Sequence, residues 1–294
     1  MTQDGTGMES AGERVRGALV HGAAGSVRPQ ARAWGRYVAI GDSFTEGMSD
    51  PDPVEPDAYV GWADRLAALL AAHAEEFSYA NLAVRGRKLA DVAGPQVDAA
   101  LALEPDLVSI VGGGNDILRP RADVDALAAT LDGAVARIRA TGADVLMATP
   151  TDPVGAPVIG RTRGRVGVYI SHIWSIAQRH GCYVLNQWAC DFLQDWRMWA
   201  EDRIHMTAEG HRRVALAAYT ALGHDPDEAD WHLPLPPQPG PGVLESVRGN
   251  AQWAREYAGP WVQRRLQGRS SGDGRAPKRP ELGPAPDHPR PEDR

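Results

Sequence analysis

Between residues 35 and 224 the chain alternates two hydrophobic patterns. Five short runs are apolar at nearly every position: RYVAI at 36–40, FSYANLAV at 77–84, DLVSIV at 106–111, ADVLMA at 143–148 and CYVL at 182–185. Unbroken apolar runs of this length predict strands buried on both faces. Longer stretches lie between and after them. In 59–75, Trp62, Leu66, Leu69 and Leu70 fall on one helical face, and 124–142 is a second amphipathic helix stopping near Gly142. Helices are also predicted through 168–181 and 207–223. Strands alternating with helices predict βαβ units and an α/β fold whose mainly parallel sheet is covered on both sides.

The flanks carry other patterns. Residues 1–34 lack sustained periodicity and are expected to be a disordered leader. HLPLPPQPGPG, within 225–242, predicts an extended Pro-rich linker. In 243–267 the spacing is helical, with Trp253, Tyr257 and Trp261 four apart and Pro260 dividing the segment; docking of this face as a structural brace is expected. From 268 to 294 the chain is Pro, Gly and charge, and a disordered tail is expected.

Composition narrows the picture modestly. A hydrophobic share of 43% supports a core, and a net charge of -7 argues against a nucleic-acid partner. No run is long enough for a signal-peptide core or a membrane span. Cys182 and Cys190 make no disulfide framework. A cytoplasmic protein is the expectation.

Polar clusters fall at the carboxyl ends of predicted strands, where α/β sheets bind ligands. They are Gly41-Asp42-Ser43, Gly113-Gly114-Asn115-Asp116 and Thr149-Pro150-Thr151-Asp152. A serine hydroxyl needs an adjacent base, and histidine suits that task near neutral pH. Asp202, three residues before His205, is placed to turn back and fix the imidazole tautomer. Each cluster alone has a plainer explanation. Gly-Asp-Ser is a common turn, and Asp-x-x-His before a helix is also capping chemistry.

Four segments, in order, resemble the signature blocks of the SGNH (GDSL-type) hydrolase family: Gly41-Asp42-Ser43-Phe44-Thr45-Glu46-Gly47, Asn81-Leu82-Ala83-Val84-Arg85-Gly86, Gly113-Gly114-Asn115-Asp116 and Asp202-Arg203-Ile204-His205. The resemblance implies a three-layer α/β/α sandwich with about five mainly parallel strands (flavodoxin-like). It implies an esterase or acylhydrolase with Ser43 as nucleophile, His205 as base and Asp202 as its orienting carboxylate. The oxyanion hole it implies comprises the backbone N–H groups of Ser43 and Gly86 and the Asn115 amide. No metal or cofactor is expected, and the substrate is an ester of a small molecule, carbohydrate or lipid. A thioesterase or acyltransferase on the same machinery is the nearest rival; a catalytically silent binding module is the farthest.

Other features are read as bland. Gly268-Arg269-Ser270-Ser271-Gly272 matches G-x-S-x-G but has no strand–turn–helix context. His172, His180, Cys182 and Cys190 fit no zinc spacing, and His211 is read as structural. Asp42 and Asp116 are assigned to loop positioning. Arg161, Arg163 and Arg165 are assigned to a solvated loop, with an anionic substrate group as the alternative. Pocket width is expected to depend on loops 48–60 and 150–168.

Overall fold

A computed structural model describes residues 29–55, 58–156, 159–238, 242–259 and 270–287. The chain runs β1 (Arg36–Ile40), α1 (Ser43–Glu46), α2 (Gly61–Ala71), β2 (Ser78–Asn81), α3 (Leu89–Asp91), α4 (Val97–Ala102), β3 (Leu107–Ile110), α5 (Gly114–Ile117) and α6 (Val124–Arg139). It continues through β4 (Asp144–Ala148), α7 (Arg163–His180), β5 (Tyr183–Leu185), α8 (Ala208–Ala221), α9 (Val243–Trp253) and β6 (Arg279–Gly283).

The sheet order is β5-β4-β3-β1-β2-β6. The first five strands pair in parallel, as expected. Their side chains alternate between two cores. Tyr37 and Ala39 of β1 face Trp62, Leu66 and Leu70 of α2 and Val214 of α8. Val38 and Ile40 face the opposite layer, with Val135 and Ile138 of α6 and Ile173 of α7. Because both faces are covered, polar positions within the strands are few; burying each large apolar side chain contributes roughly 1.5–3 kcal/mol. From β1 the chain goes to β2 on one side and then to β3 on the other. This topological switch point opens a crevice at the carboxyl ends of β1 and β3.

The tail departs from expectation. Instead of being disordered throughout, residues 279–283 form the sixth strand, antiparallel to β2. Lys278 anchors it: its buried ammonium bonds the Tyr59 carbonyl at 2.9 Å, contacts that of Val60, and pairs with Asp64 at 3.0 Å. A Pro- and charge-rich composition conceals such a strand, because an edge strand tolerates Pro280. The linker is also not free along its length. Trp231, just before its prolines, is buried, and Leu235 packs against the same core. Helix α9 forms as expected, followed by a wide turn to Ala258; Trp261 lies outside the described residues. Residues 1–28 of the expected leader also lie outside them, while Trp34 at its end is buried.

Candidate active site

After β1, the Gln96 side-chain amide accepts the Gly41 N–H and donates to its C=O (2.7 and 2.9 Å), while that carbonyl also accepts the Val84 N–H at 3.3 Å, fixing the point where the chain turns. Asp42 caps the next helix by accepting the Phe44 N–H at 3.2 Å. Ser43 is therefore the first residue of α1. Below it, the Asn81 amide donates to the Thr45 carbonyl at 2.9 Å. Glu46 accepts the Arg85 backbone N–H (2.6 Å), its Nε (2.9 Å) and its Nη2. In this buried ion pair Nε and Nη2 both meet Oε1 while Oε2 takes the backbone N–H, tying the Ser43 helix to the loop carrying Gly86. Gly86 is left-handed (φ 72°), and a Cβ there would lie 2.2 Å from Ser270 Oγ. Ser270 Oγ donates to the Gly86 carbonyl at 3.2 Å, so the rejected G-x-S-x-G serine packs behind this loop.

At the end of β3, Gly113 (φ 93°) passes so close to Tyr169 that a Cβ would sit 2.7 Å from its hydroxyl. The Asn115 amide donates to the Arg87 carbonyl at 3.0 Å and to Asp42 Oδ2 at 3.2 Å. Asp116 accepts the Leu89 N–H at 2.9 Å. Both aspartates thus hold loops through backbone donors.

The remaining pair lies just before α8. Asp202 Oδ2 is 2.5 Å from His205 Nδ1, while Oδ1 accepts the backbone N–H groups of Ile204 (2.9 Å) and His205 (3.0 Å). Burial pushes this carboxyl's pKa up, but the His205 hydrogen bond, its charge and the two N–H donors outweigh burial and hold it below the ordinary value. With Nδ1 tied to the carboxylate, Nε2 is the ring nitrogen left for chemistry.

Ser43, Asn115 and His205 line one cavity of about 210 Å³ at the β1/β3 crevice. Gly86 is not among its lining residues; the adjacent Arg85, paired with Glu46, fastens its loop to the Ser43 helix. Most of the wall is apolar, with Val111, Ile117, Leu118, Ile159, Val166 and Met206 prominent. Among the described residues, loop 150–168 supplies several lining residues, whereas loop 48–60 supplies only Met48. Burial raises the Asp42 pKa to about 6, opposed by the Phe44 N–H and the nearby His205. His211 also lines the cavity, and burial lowers its pKa to about 4. Its Nδ1 accepts the Trp62 N–H at 3.2 Å and its Nε2 donates to the Met48 carbonyl at 3.1 Å. Phe44 stacks on it, consistent with the structural role read from sequence.

Several supports were not visible in the sequence. Gln96 lies in a helical stretch obscured by Gly94 and Pro95, and Trp253 donates its indole N–H to the Asp202 carbonyl at 2.9 Å from outside the motif region. The Glu46–Arg85 tie had a signal: both residues sit inside recognised blocks.

Two of the three arginines are tied to protein groups, and Arg161 is exposed. Arg163 pairs with Asp152 (2.7 Å) and lies over Trp188, Arg165 donates to the Arg119 carbonyl (2.6 Å), and none of the three lines the cavity. Arg163 and Arg165 begin α7 rather than sitting in a loop. His172 and His180 pair with Asp125 and Asp132, clamping α7 to α6. Among the described residues no group of three or more His, Cys, Asp or Glu is placed to hold a metal, and no helix is long and apolar enough to cross a membrane.

The model of the GDSL-like Lipase/Acylhydrolase family matches residues 39–213, more than half of the chain. No curated protein sequence matches. Among solved structures, LAE5, an alpha/beta hydrolase enzyme from the metagenome of Lake Arreo, Spain, is 25% identical with a TM-score of 0.54, covering 66% of this chain and 96% of its own. A variant of Axe2, an acetyl xylan esterase from Geobacillus stearothermophilus, is 19% identical with a TM-score of 0.55 over 69% of this chain and all of its own. TesA is 23% identical with a TM-score of 0.51 over 64% and 97%. With the ordered motifs, the parallel sheet and the family match in agreement, the chain belongs to the GDSL-like lipase/acylhydrolase family and is a hydrolase acting on ester bonds.

Proposed function

We propose that the chain is a serine esterase that cleaves esters of an uncharged, apolar acyl group larger than acetyl. The observation that carries the reading is the meeting of Ser43, Asn115 and the Asp202-supported His205 at one cavity. Ser43 Oγ attacks the ester carbonyl while His205 Nε2 takes its proton. The same proton passes to the departing alcohol, and water, activated by His205, then releases the acyl group from Ser43. Negative charge on the tetrahedral oxygen is met by the Ser43 N–H at the start of α1 and the Asn115 amide, both on the cavity wall, and by the Gly86 N–H that the family resemblance implies. At rest that amide is shared between Arg87 and Asp42, and the longer Asp42 contact is the one the oxyanion replaces.

The acyl preference follows from the walls. A cavity of about 210 Å³ exceeds the roughly 150 Å³ that accommodates benzene, so acyl chains of about six carbons fit. An acetyl group would leave much of the apolar surface unburied, and the tied arginines offer an anionic acyl group nothing. Acetyl xylan, the substrate of the Axe2 esterase, and acetylated sugars like it are therefore expected to be poor substrates.

Ser43→Ala is expected to abolish aryl-ester turnover while preserving the fold, and a fluorophosphonate is expected to label Ser43. Turnover at the wild-type rate in that variant, or labelling at Ser270 alone, contradicts the reading. In a series of aryl esters, acetate turning over faster than hexanoate would overturn the acyl assignment.

A further inference from the structure

The turn that presents Asp202 to His205 is an unusual one for its sequence. Arg203 sits at φ 57°, in the left-handed region that arginine does not favour. That conformation folds the chain back so that the Ile204 and His205 N–H groups both reach Asp202 Oδ1. A residue so placed persists where its surroundings over-determine it.

Part of that determination is local. Ala200 N–H donates to the His205 carbonyl at 2.8 Å, and Trp199 bridges to Met206. The rest comes from Trp196 and, chiefly, from α9 and the turn after it. The Arg203 guanidinium lies over the Trp253 ring at 5.3 Å and the Trp196 ring at 5.7 Å, and its Nη1 donates to Asn250 Oδ1 at 2.6 Å. Trp253 also donates to the Asp202 carbonyl, and the Tyr257 hydroxyl donates to Glu201 at 2.9 Å. Asn250, Trp253 and Tyr257 follow at i, i+3 and i+7, the spacing of one helical face. Three consecutive loop residues, 201 to 203, are thus gripped by one face of a segment outside the region 39–213 that the family model matches.

We propose that this face is a positioning element for the acid–base loop, with Trp253 as its central residue, so that the C-terminal extension sets the turnover rate without touching substrate. The inference rests on the assignment of Asp202 and His205 above. Neither Trp253 nor Asn250 lines the cavity, so substrate binding itself should be spared.

The test is kinetics on a hexanoate aryl ester, with rates expressed per site titrated by a fluorophosphonate so that unfolded protein does not count. Trp253→Ala is expected to lower kcat roughly tenfold with KM within about twofold, the signature of lost orientation rather than lost binding. Trp253→Phe keeps a ring over Arg203 and loses only the N–H, so a smaller loss of roughly threefold is expected. In an Arg203→Gly background, where the turn no longer needs holding, adding Trp253→Ala should change kcat less than it does in the wild type. A kcat per titrated site equal to wild type in both Trp253 variants, or a loss carried by KM, overturns the inference. Activity surviving in Ser43→Ala and His205→Ala would instead overturn the underlying assignment, whatever Trp253 does.

Discussion

The two halves of the site are held in different ways. Ser43, Gly86 and Asn115 stand on loops after three neighbouring strands, cross-tied by buried polar groups: Glu46 to Arg85, Asn81 to Thr45, Gln96 to Gly41. The Asp202–His205 half is a single turn, with side chains 19% and 16% exposed, strained at Arg203 and steadied by the C-terminal helix. One half is set by the same burial that folds the core. The other is a local arrangement laid over a finished core. Damage to the first should therefore appear as lost stability, and damage to the second as lost rate.

The largest effect tests the Asp202–His205 half. Asp202→Asn keeps the shape but offers an amide to the imidazole, disfavouring the tautomer that leaves Nε2 free as base. A fall in kcat on the order of 10³–10⁴ is expected, with a melting midpoint within a few degrees of wild type. A variant that unfolds readily but turns over normally when folded would reverse the comparison. On the buried side, Arg85→Ala leaves Glu46 charged and unpaired where its side chain is only 11% exposed. Such a break typically costs on the order of 3–5 kcal/mol, readable by urea unfolding. A loss below about 1 kcal/mol would mean that the tie is ornamental to the fold.

The same contrast separates what the sequence made legible from what it did not. The parallel strands were readable because a strand covered on both faces is apolar at nearly every position, and the candidate reactive groups could be named because they fall in four ordered blocks, three after strands and one before α8. The bounds of α7 were drawn too late, since Arg163, Gly164 and Arg165 read as loop residues although they open the helix. Strand β6 was missed because an edge strand anchored by one buried lysine needs no apolar alternation. Gln96 and Trp253 were missed for a common reason. Each acts on a residue far away in sequence, and a single chain has no local pattern that records a distant partner.

His211 sharpens the comparison through acid. Its buried ring, holding Trp62 and Met48 beside the Ser43 helix, has a folded pKa of about 4, below the ordinary value of 6.5. For a base with a depressed pKa, the folded state takes up its proton later than the unfolded one. The stability it supports is full above pH 6.5 and drains away as pH falls towards 4, by about 3 kcal/mol at most. Urea unfolding at pH 7.5, 6, 5 and 4 should show that decline in the wild type and a flatter profile in His211→Gln. Parallel profiles would remove His211 as its source.

Asp42 gives the smallest effect, and it joins the two halves. It is 8% exposed, and burial raises its pKa to about 6 from 3.8. A carboxyl with a raised folded pKa favours folding fully below pH 3.8 and loses that contribution as pH rises through about 6. Near neutrality it is therefore a burden on the fold of up to about 3 kcal/mol. Asp42→Asn can still cap Phe44 through its side-chain carbonyl. It should raise stability at pH 8 by up to that amount and leave it unchanged at pH 3.5. The compensating gain lies with His205, whose proximity lowers the Asp42 pKa and whose imidazolium, formed as Ser43 attacks, the Asp42 charge would in turn stabilise. Asp42→Asn should then be the more stable and slower enzyme, by roughly tenfold in kcat. If it is more stable and equally fast, Asp42 contributes only its cap, and the electrostatic support of the base comes from Asp202 alone.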